Sequence, residues 1–385
     1  MLGIFTNRYA GNGLMAGLAG IKSRLRRAVM RHAGVWSGYQ RLKLQARRVA
    51  RLWYFRHDVA QTFNAMHWSP RSQDRRVISA GLLFQYHKLE KGLVMPGPRR
   101  MFGEAPARAV MSWLDRWRAA GLSPDDPVYL GALETLHAYS AHLARHQLDT
   151  LGAVSAELSR YLDAHPARSP ALATPAALRS LADERMPHAF AALALRRRSV
   201  RNFLPKPVPD DVIARAVSVA ALSPSACNRQ PCRVVVVSDP ERRKRLLSHQ
   251  NGNRGFGHLA PHVLVITSDA AGFFDASERH QPYIDGGLFA MSLCYALAAE
   301  GAATCCLNWC VAIEDDRAVH ELMGLKKSEC VVMLMALGYA PDDTLVPQSP
   351  RRAVQDVLRF DAVAQRADSF QGNAGKCGPL EVDRA

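Results

Sequence analysis

Cysteine and long apolar runs are both scarce in this chain of 385 residues. Its eight cysteines are too sparse for a disulfide scaffold, so we expect reduced thiols in a cytoplasmic protein. No stretch reaches the 18 or so uninterrupted apolar residues of a membrane span, and the most apolar segment, residues 286–299, is too short. A hydrophobic share of 48% with 22% charged residues excludes wholesale disorder. We therefore expect a globular protein, soluble or peripheral to a membrane.

Acidic residues are missing from the start of the chain. Residues 1–57 contain twelve Lys and Arg and no Asp or Glu, and residues 1–100 carry the whole net charge of +16. Such one-sidedness indicates an anionic partner for residues 1–57, with no nucleic acid expected. Apolar residues recur within this region at helical spacing, at Leu14, Leu18, Ile21, Leu25 and Val29.

Residues 1–60 form a basic helical segment for which three interpretations stay open. It could lie on anionic lipid as an interfacial helix, on the inner membrane surface of a bacterium. It also has the Arg-rich, acid-poor composition of an organelle transit peptide. In the third interpretation it is an ordinary helix that packs on its own protein.

The rest of the chain divides into four parts. Residues 61–163 are predicted to be helical, and within them His87–Gly92 (HKLEKG) is explained by a helix C-terminus with basic residues near its last carbonyls. Three prolines mark residues 164–186 as a linker. Residues 187–361 follow as a second folded region, and residues 362–385 are expected to be a flexible tail.

Short apolar runs alternate with helical segments in residues 187–361. The runs 233–239, 262–269 and 330–339 predict buried strands, and the segments 210–222, 240–249, 282–300 and 314–323 predict helices. The segment 282–300 is apolar on nearly all sides, which indicates a helix buried in a core or against a second subunit. The predicted fold class is α+β with α/β-type layers: a sheet flanked by helices, preceded by a mainly helical region.

Several familiar chemical motifs are absent or incomplete. Gly252–Gly257 runs G-x-x-G-x-G between a predicted helix and a predicted strand, the reverse of a dinucleotide-binding context, so it is interpreted as a flexible loop near a pocket. Cys305, Cys306 and Cys310 match no zinc spacing and are interpreted as small buried apolar residues. There is no G-x-S-x-G or H-E-x-x-H motif. We therefore predict no metal site and name no catalytic acid or base.

Two segments carry side chains suited to binding a ligand. Arg197, Ser199 and Arg201 share one face of an extended segment, where two guanidinium groups and a hydroxyl suit a phosphate dianion and an electron-rich ring edge. A solvated basic stripe at the end of a helix is the alternative. The second segment, residues 223–231, is a proline-fixed loop in which Asn228 and Gln230 offer amides that both donate and accept hydrogen bonds. It could also be merely structural.

Together these motifs resemble the nitroreductase family of FMN flavoproteins. The resemblance rests on R-R-S-V-R-x-F at residues 197–203 and S-P-S-x-x-N-x-Q-P at residues 223–231. The apolar helix, residues 301–308, Leu337-Gly338-Tyr339 and Arg351-Arg352 follow in the family's order. It covers about residues 188–360, the C-terminal half of the chain. The HKLEKG segment resembles extensions on some bacterial members, and no role is attached to it.

The resemblance implies a role for each matching residue. Arg197 and Ser199, within the basic run that includes Arg198, should hold the FMN phosphate with help from Arg351. Arg201 should approach the N1/O2 edge of the isoalloxazine ring. Asn228, in the loop with Gln230, should bond ribityl or ring polar atoms, and the backbone of Leu307 and Asn308 should meet the ring near N5. Cys306, Asn308 and Ser349 depart from residues common in the family.

The resemblance also implies a function. We expect an FMN-dependent oxidoreductase that passes a hydride from NADH or NADPH to a small-molecule acceptor such as a nitro compound or quinone. It further implies a homodimer with FMN at the subunit interface. Two alternatives stay open: an FMN enzyme of a specialised biosynthetic step, such as one in polysaccharide synthesis, and a membrane-associated interaction protein with a vestigial flavin domain.

Overall fold

The computed structural model of the protein describes residues 33–69, 71–96, 101–149, 153–169, 185–347 and 349–360. The chain divides into two compact units, residues 1–66 and 67–385. The first unit contains a helix of 33 residues, α1 (Ala33–Ala65), which runs across residue 60, where we placed the boundary between two regions predicted to be helical. The apolar repeat at residues 14–29, most of the predicted linker 164–186 and the predicted tail 362–385 lie outside the described residues.

Four helices follow at the start of the second unit: α2 (Arg75–Val94), α3 (Glu104–Ala119), α4 (Pro127–His146) and α5 (Ala153–Asp163). Asp74 and Asp126 cap α2 and α4, each accepting a hydrogen bond from a backbone N–H two residues on. Fully buried side chains from all four helices form one core, among them Leu82, Leu114, Trp117, Tyr139 and Leu158. The prediction of a mainly helical region before the sheet is confirmed.

A four-stranded sheet with flanking helices forms the rest of the second unit. Its elements in chain order are α6 (Arg185–Arg196), α7 (Asp210–Ala220), β1 (Cys232–Val237), α8 (Pro240–Ser248), β2 (His262–Asp269), α9 (Gln281–Ala299), β3 (Ala303–Asn308), α10 (Ile313–Met323) and β4 (Glu329–Gly338). The strand order is β1-β2-β4-β3, and each neighbouring pair is antiparallel. The predicted α+β class is confirmed.

Both faces of the sheet are covered, and this explains the composition of its strands. All eight residues of β2 are buried, and separate apolar clusters pack on the two faces. A strand covered on both sides needs apolar residues at successive positions rather than alternate ones. The three predicted strands are present, with ends shifted by at most two residues, whereas β3 is a strand that we did not predict. No described helix is long and apolar enough to cross a membrane.

The long apolar helix α9 differs from its prediction. One side packs on the sheet through Phe289, Leu293 and Leu297. In the single chain the other side exposes large apolar residues, namely Tyr283, Ile284, Leu288 and Met291. The first alternative, burial in a core on all sides, is therefore wrong, whereas burial against a second subunit is not tested by one chain, because a composition that is apolar on every side does not tell a core from an interface.

A bulge in the sheet fixes where α9 sits. The pairing of β2 with β4 shifts between Ile266 and Thr267, which leaves Val332 as an extra residue in β4. A Cβ on Gly286 of α9 would overlap the side chain of Val332. The β-branched side chain of Val332 is short and stiff, so it cannot move aside easily. Glycine is therefore required at position 286 for α9 to lie this close to the sheet.

His262 joins the start of β2 to the segment before α7. Its Nε2 accepts a hydrogen bond from the Val208 N–H at 2.9 Å, and its Nδ1 lies 2.7 Å from the Ser238 hydroxyl. Burial lowers the pKa of His262, and the nearby positive charge of Arg243 lowers it further. The folded protein therefore favours the neutral ring, with its proton on Nδ1.

Candidate functional site

The basic segment after α6 runs along the edge of the sheet beside β3. Ser199 forms a parallel bridge with Thr304, and the Val200 N–H donates to the Thr304 carbonyl at 3.0 Å. Val200 and Phe203 are buried in a sheet cluster. Since alternate side chains of an extended segment point the same way, Arg197, Ser199 and Arg201 are expected on the side opposite Val200. The backbone at Ser199 and Val200 is extended, as the sequence predicted, and the shared face of the three side chains stays a prediction.

Arg197 has an unsatisfied buried donor. Its Nε is buried and makes no hydrogen bond within the described structure, although buried polar groups are nearly always paired. The neighbouring Arg198 donates from Nη1 to the Arg197 carbonyl at 3.2 Å. An anionic acceptor beside Arg197 would satisfy the Nε proton, so this residue fits the phosphate group that the resemblance assigns to it.

Two thiols lie close to Arg197. The Sγ atoms of Cys294 in α9 and Cys306 in β3 are 3.5 Å apart. The shared hydrogen bond lowers the pKa of Cys294 and raises that of Cys306, and the charge of Arg197 favours the thiolate at both positions. Cys306 and Cys310 are exposed whereas Cys305 is buried, so our interpretation of all three as buried apolar residues holds only for Cys305. Within the described residues, no group of three or more His, Cys, Asp or Glu could hold a metal ion.

The glycine-rich loop at residues 250–257 lies against the same edge. The Arg201 guanidinium is 5.8 Å from the centroid of the Phe256 ring, and it also donates to the Ser199 carbonyl. The Gln250 side-chain amide donates to the Asn308 carbonyl at 3.0 Å. Leu307 is buried and Asn308 is exposed. The loop therefore contacts both Arg201, through Phe256, and Asn308, through Gln250. Sequence reasoning placed this loop near a pocket and did not select Gln250 or Phe256.

The predicted ligand-binding loop at residues 223–231 has an unusual backbone. Cys227, Asn228 and Gln230 have φ values of 51°, 54° and 51°, in the left-handed region that few residues other than glycine and asparagine adopt readily. The Gln230 side chain donates to the Asn228 carbonyl at 3.2 Å, and the Ser225 hydroxyl accepts from the Gln230 N–H at 3.0 Å. Such strain is typical of functional loops.

Side chains outside the motif hold this loop in place. Asp285 of α9 accepts a hydrogen bond from the Ala226 N–H at 3.1 Å, and burial raises the pKa of its carboxyl group. Arg229 is buried, pairs with Glu278 and lies over the Phe273 ring at 4.6 Å. Helix α2 also packs against the loop. Sequence reasoning missed Arg229 because an isolated arginine gives no sign that it is buried.

The predicted site residues fall into two groups in one chain. Arg197 lies beside Cys294 and Cys306, whereas the loop that carries Asn228 and Gln230 is bonded to Asp285. Asp285 and Cys294 are nine residues apart on α9, which corresponds to about 13 Å along the helix. Arg351 is exposed and donates to the Ser349 carbonyl at 2.6 Å. Among the described residues, no hydrogen bond or ion pair joins Arg351 to either group.

The HKLEKG segment belongs to the body of α2 and does not follow its end. His87 Nδ1 lies 3.0 Å from a carboxylate oxygen of Glu90, and the Lys88 ammonium lies 4.0 Å from the centroid of the Phe84 ring. A Cβ on Gly92 would overlap the Phe102 ring. Helix α2 ends at Val94 with Lys91 in its last turn, so the predicted helix C-terminus with a basic residue near its last carbonyls is confirmed, and Gly92 allows close packing there.

Comparison with known proteins supports the resemblance for the C-terminal region. The nitroreductase family model matches residues 194–253 and 247–339, which include every predicted site residue except Arg351. Iodotyrosine deiodinase of Danio rerio is 24% identical over 194 residues, covering 44% of this chain and 66% of the relative. NADH dehydrogenase of Thermus thermophilus is 41% identical over 76 residues, covering 20% of this chain and 37% of the relative.

A solved nitroreductase family protein from Streptococcus pneumoniae has a TM-score of 0.38 and 22% identity, covering 44% of this chain and 99% of that one. The chain spans two thirds or less of the length of the two curated relatives, whose names are those of redox enzymes. The match of the family model confirms the predicted nitroreductase resemblance for residues 194–339.

Proposed function

We propose that this protein is an FMN-dependent oxidoreductase that uses NADH or NADPH to reduce a small-molecule acceptor. The observation that carries the proposal is the buried Arg197 Nε with no hydrogen-bond partner, in a segment that matches the nitroreductase family. When bound, FMN supplies hydride transfer between the nicotinamide and the acceptor. The chain supplies binding, orientation and a cation near the ring.

The residues beside β3 have different roles in binding FMN. Arg197 and Ser199 hold the phosphate, and Arg351 approaches it from the end of the domain. Arg201, which lies over the Phe256 ring and is solvent-exposed, provides positive charge near the ring edge, where negative charge develops on reduction. The Gln250 amide fixes the Asn308 carbonyl, so the backbone at Leu307 and Asn308 is held in one position. No side-chain acid or base is required.

A homodimer would complete the site. In one chain, the loop that carries Asn228 and Gln230 is bonded through the Ala226 N–H to the N-terminal half of α9, and Arg197 lies beside its C-terminal half. The exposed apolar side of α9 is the kind of surface that an obligate dimer buries. A second copy packed on this side would bring its Asn228 and Gln230 toward the Arg197 of the first copy. Sedimentation velocity tests this step, and a monomer at micromolar concentration would contradict it.

Absorbance is the direct test of the oxidoreductase proposal. The purified protein should show flavin bands, or acquire them when FMN is added, and the bands should bleach under anaerobic NADH or NADPH. A panel of a nitroaromatic compound, a quinone and iodotyrosine then separates acceptor classes, the last because of the similarity to iodotyrosine deiodinase. Turnover of none of these by a protein that does bleach favours a specialised biosynthetic substrate. A colourless protein that cannot be reconstituted refutes the proposal.

We further propose that residues 1–66 contact an anionic membrane surface. Helix α1 exposes apolar side chains along its length, including Leu42, Val49, Phe55 and Phe63, in a region without acidic residues before Asp58. Apolar side chains that enter the lipid boundary and basic groups near the head groups both stabilise such binding. A cytoplasmic protein that is peripheral to the inner membrane surface fits this arrangement.

Co-sedimentation with vesicles tests membrane contact. Deleting only the acid-free residues 1–57 would cut inside α1, so residues 1–66 should be removed. Full-length protein should sediment with anionic vesicles, stay in solution with neutral ones and be released by salt, because exposed charge is screened over about 8–10 Å at physiological ionic strength. The truncated protein should keep its FMN content. Equal sedimentation of both proteins would rule out the membrane role.

A further inference from the structure

A cavity lined by four arginines lies between the start of α2 and the segment that leads into β1. Its volume is about 180 Å³, larger than the roughly 150 Å³ cavity that admits benzene in an engineered protein. Arg75 and Arg76 line it from α2, and Arg229 and Arg233 line it from the sheet region. Ser79 and Gln230 add neutral polar groups. The cavity is therefore large enough for a small anion and rich in hydrogen-bond donors.

Three of these arginines have carboxylate partners within the protein. Arg75 pairs with Asp126, Arg229 pairs with Glu278, and Arg76 pairs with Asp269 at 2.7 Å and with Glu329 at 3.2 Å. These pairs neutralise much of the charge around the cavity and hold the guanidinium groups in place. The fourth arginine of the cavity wall, Arg233, is not part of these pairs.

Arg233 has no carboxylate partner within the described part of the chain. It is half-buried, and its Nη1 donates to the backbone carbonyls of Gln230 at 3.2 Å and Cys232 at 2.7 Å. Burial lowers the pKa of Arg233, and the positive charges of Arg76 and Arg75 add to this effect, although Asp269 opposes it. Arg233 thus lies at the wall of the cavity without an ion pair of its own, whereas Asp269, which also lines the cavity, and Glu329 favour its charge from a greater distance.

We propose that this cavity binds a phosphoryl group, either as free phosphate or as the phosphate end of a small metabolite. Guanidinium forks match phosphate oxygens in geometry and charge, and a bound phosphoryl group would give Arg233 the direct ion pair that it lacks within the described residues. The cavity is separate from the residues proposed to hold the FMN phosphate, because Arg233 lies in β1 whereas Arg197 and Ser199 run beside β3 at the opposite edge of the sheet. Three strand spacings amount to about 14 Å. Gln230 lines the cavity and also belongs to the loop proposed to contact FMN.

Calorimetric titration of inorganic phosphate into the full-length protein, saturated with FMN at fixed ionic strength in chloride, tests the proposal. Arg233→Gln should weaken phosphate binding at least about tenfold, as expected for a lost hydrogen bond to a charged group. Arg243→Gln is a matched control. Arg243 also donates from Nη1 to two backbone carbonyls, at 2.8 and 2.7 Å, and it does not line the cavity. This variant should bind phosphate like the wild type.

A second variant protects the test against misfolding of the first. Ser79→Leu fills the cavity without changing its charge and should also abolish phosphate binding. Titration with AMP separates the two sources: tighter binding than phosphate indicates a phosphate ester, and weaker binding indicates the free anion. The proposal is overturned if the wild type binds neither probe, or if Arg233→Gln and Ser79→Leu both bind phosphate normally.

The flavin site is a second place where phosphate could bind, and Arg197→Ala addresses it. That variant should bind phosphate in the cavity as the wild type does, and loss of binding there would place the anion at the flavin site and overturn the proposal. The titration can also be run without FMN. Phosphate binding through Arg233 in a protein that never takes up FMN would refute the oxidoreductase proposal and leave the cavity site standing.

Discussion

Replacement of Arg197 by alanine should separate ligand binding from protein stability. In the flavin-free protein the Arg197 Nε is buried without a partner, and an unsatisfied buried donor costs about 1–3 kcal/mol. Alanine removes this cost but also loses the packing of the arginine stem. Because the two effects oppose each other, the free energy of unfolding of the flavin-free protein should change by less than about 1 kcal/mol.

FMN binding should respond far more strongly than stability. A hydrogen bond to a charged group contributes about 1.5–3 kcal/mol, so Arg197→Ala should weaken FMN binding by about 10- to 150-fold. Arg197→Lys should recover only part of the affinity, because an ammonium keeps the charge but loses the fork geometry. The dissociation constant can be measured by quenching of FMN fluorescence, and stability by urea unfolding of the flavin-free protein.

Arg196 provides the matched control for this experiment. It is the last residue of α6, is exposed, and precedes Arg197 directly. Arg196→Ala removes one positive charge from nearly the same place without touching the buried donor, so FMN affinity should change by less than about threefold, as for an exposed charge. Equal FMN affinity in the wild type and Arg197→Ala would refute the assignment of this segment to the FMN phosphate. Equal losses of affinity in Arg196→Ala and Arg197→Ala would show that the segment contributes only general positive charge.

Three further predictions follow from the geometry. Arg201→Gln should lower the flavin reduction potential measured by spectroelectrochemistry, because the reduced anionic flavin loses its counter-charge. Its loss of FMN affinity should be smaller than that of Arg197→Ala. An unchanged potential would show that Arg201 does not lie beside the flavin ring. The pKa of His262 is lowered in the folded protein, so the unfolded chain takes up its proton first, and stability should fall as the pH drops below about 6.5. The His262→Gln variant should show a shallower fall between pH 7 and pH 5.5 in urea unfolding, and an equal fall would exclude this residue as its source. Gly286→Ala should be less stable than Gly131→Ala by about 1–3 kcal/mol, because both gain the same helix propensity but only the first creates overlap, with Val332; equal urea midpoints would contradict this.

The elements that the sequence predicted best are those whose environment is uniform. Residues 263–266 are apolar without interruption, and β2 is buried on both faces. Such a run can be recognised without knowing which elements pack against it. The strand β3 was missed because Thr304, Cys305, Cys306 and Leu307 form no β-branched run. Two of its alternate positions, Cys306 and Asn308, are exposed, so the strand has no continuous apolar run. An edge strand of this kind is recognised by its pairing with β4, which composition does not reveal.

The site shows the same division between local and long-range information. The extended face of Arg197, Ser199 and Arg201 follows from local geometry and was predicted. The contact of Gln250 with Asn308 joins positions 58 residues apart, and nothing near either residue indicates the other. The arginine cavity is a stronger case, since Arg76 and Arg233 approach one another only after the helical region has packed on the sheet region.

The helical region before the sheet has a structural link to the candidate site, although its sequence suggested no role. Adopting left-handed backbone at Cys227, Asn228 and Gln230 costs on the order of 1 kcal/mol for each residue, so the loop needs support from its surroundings. Part of that support comes from Asp285, within the segment matched by the family model. The other part comes from α2, whose Phe84 ring lies 5.6 Å from the Arg229 guanidinium and 4.9 Å from the Phe274 ring. The conformation of a loop inside the matched segment therefore depends on side chains outside it, and changes in α2 should reach Asn228 and Gln230 through Arg229.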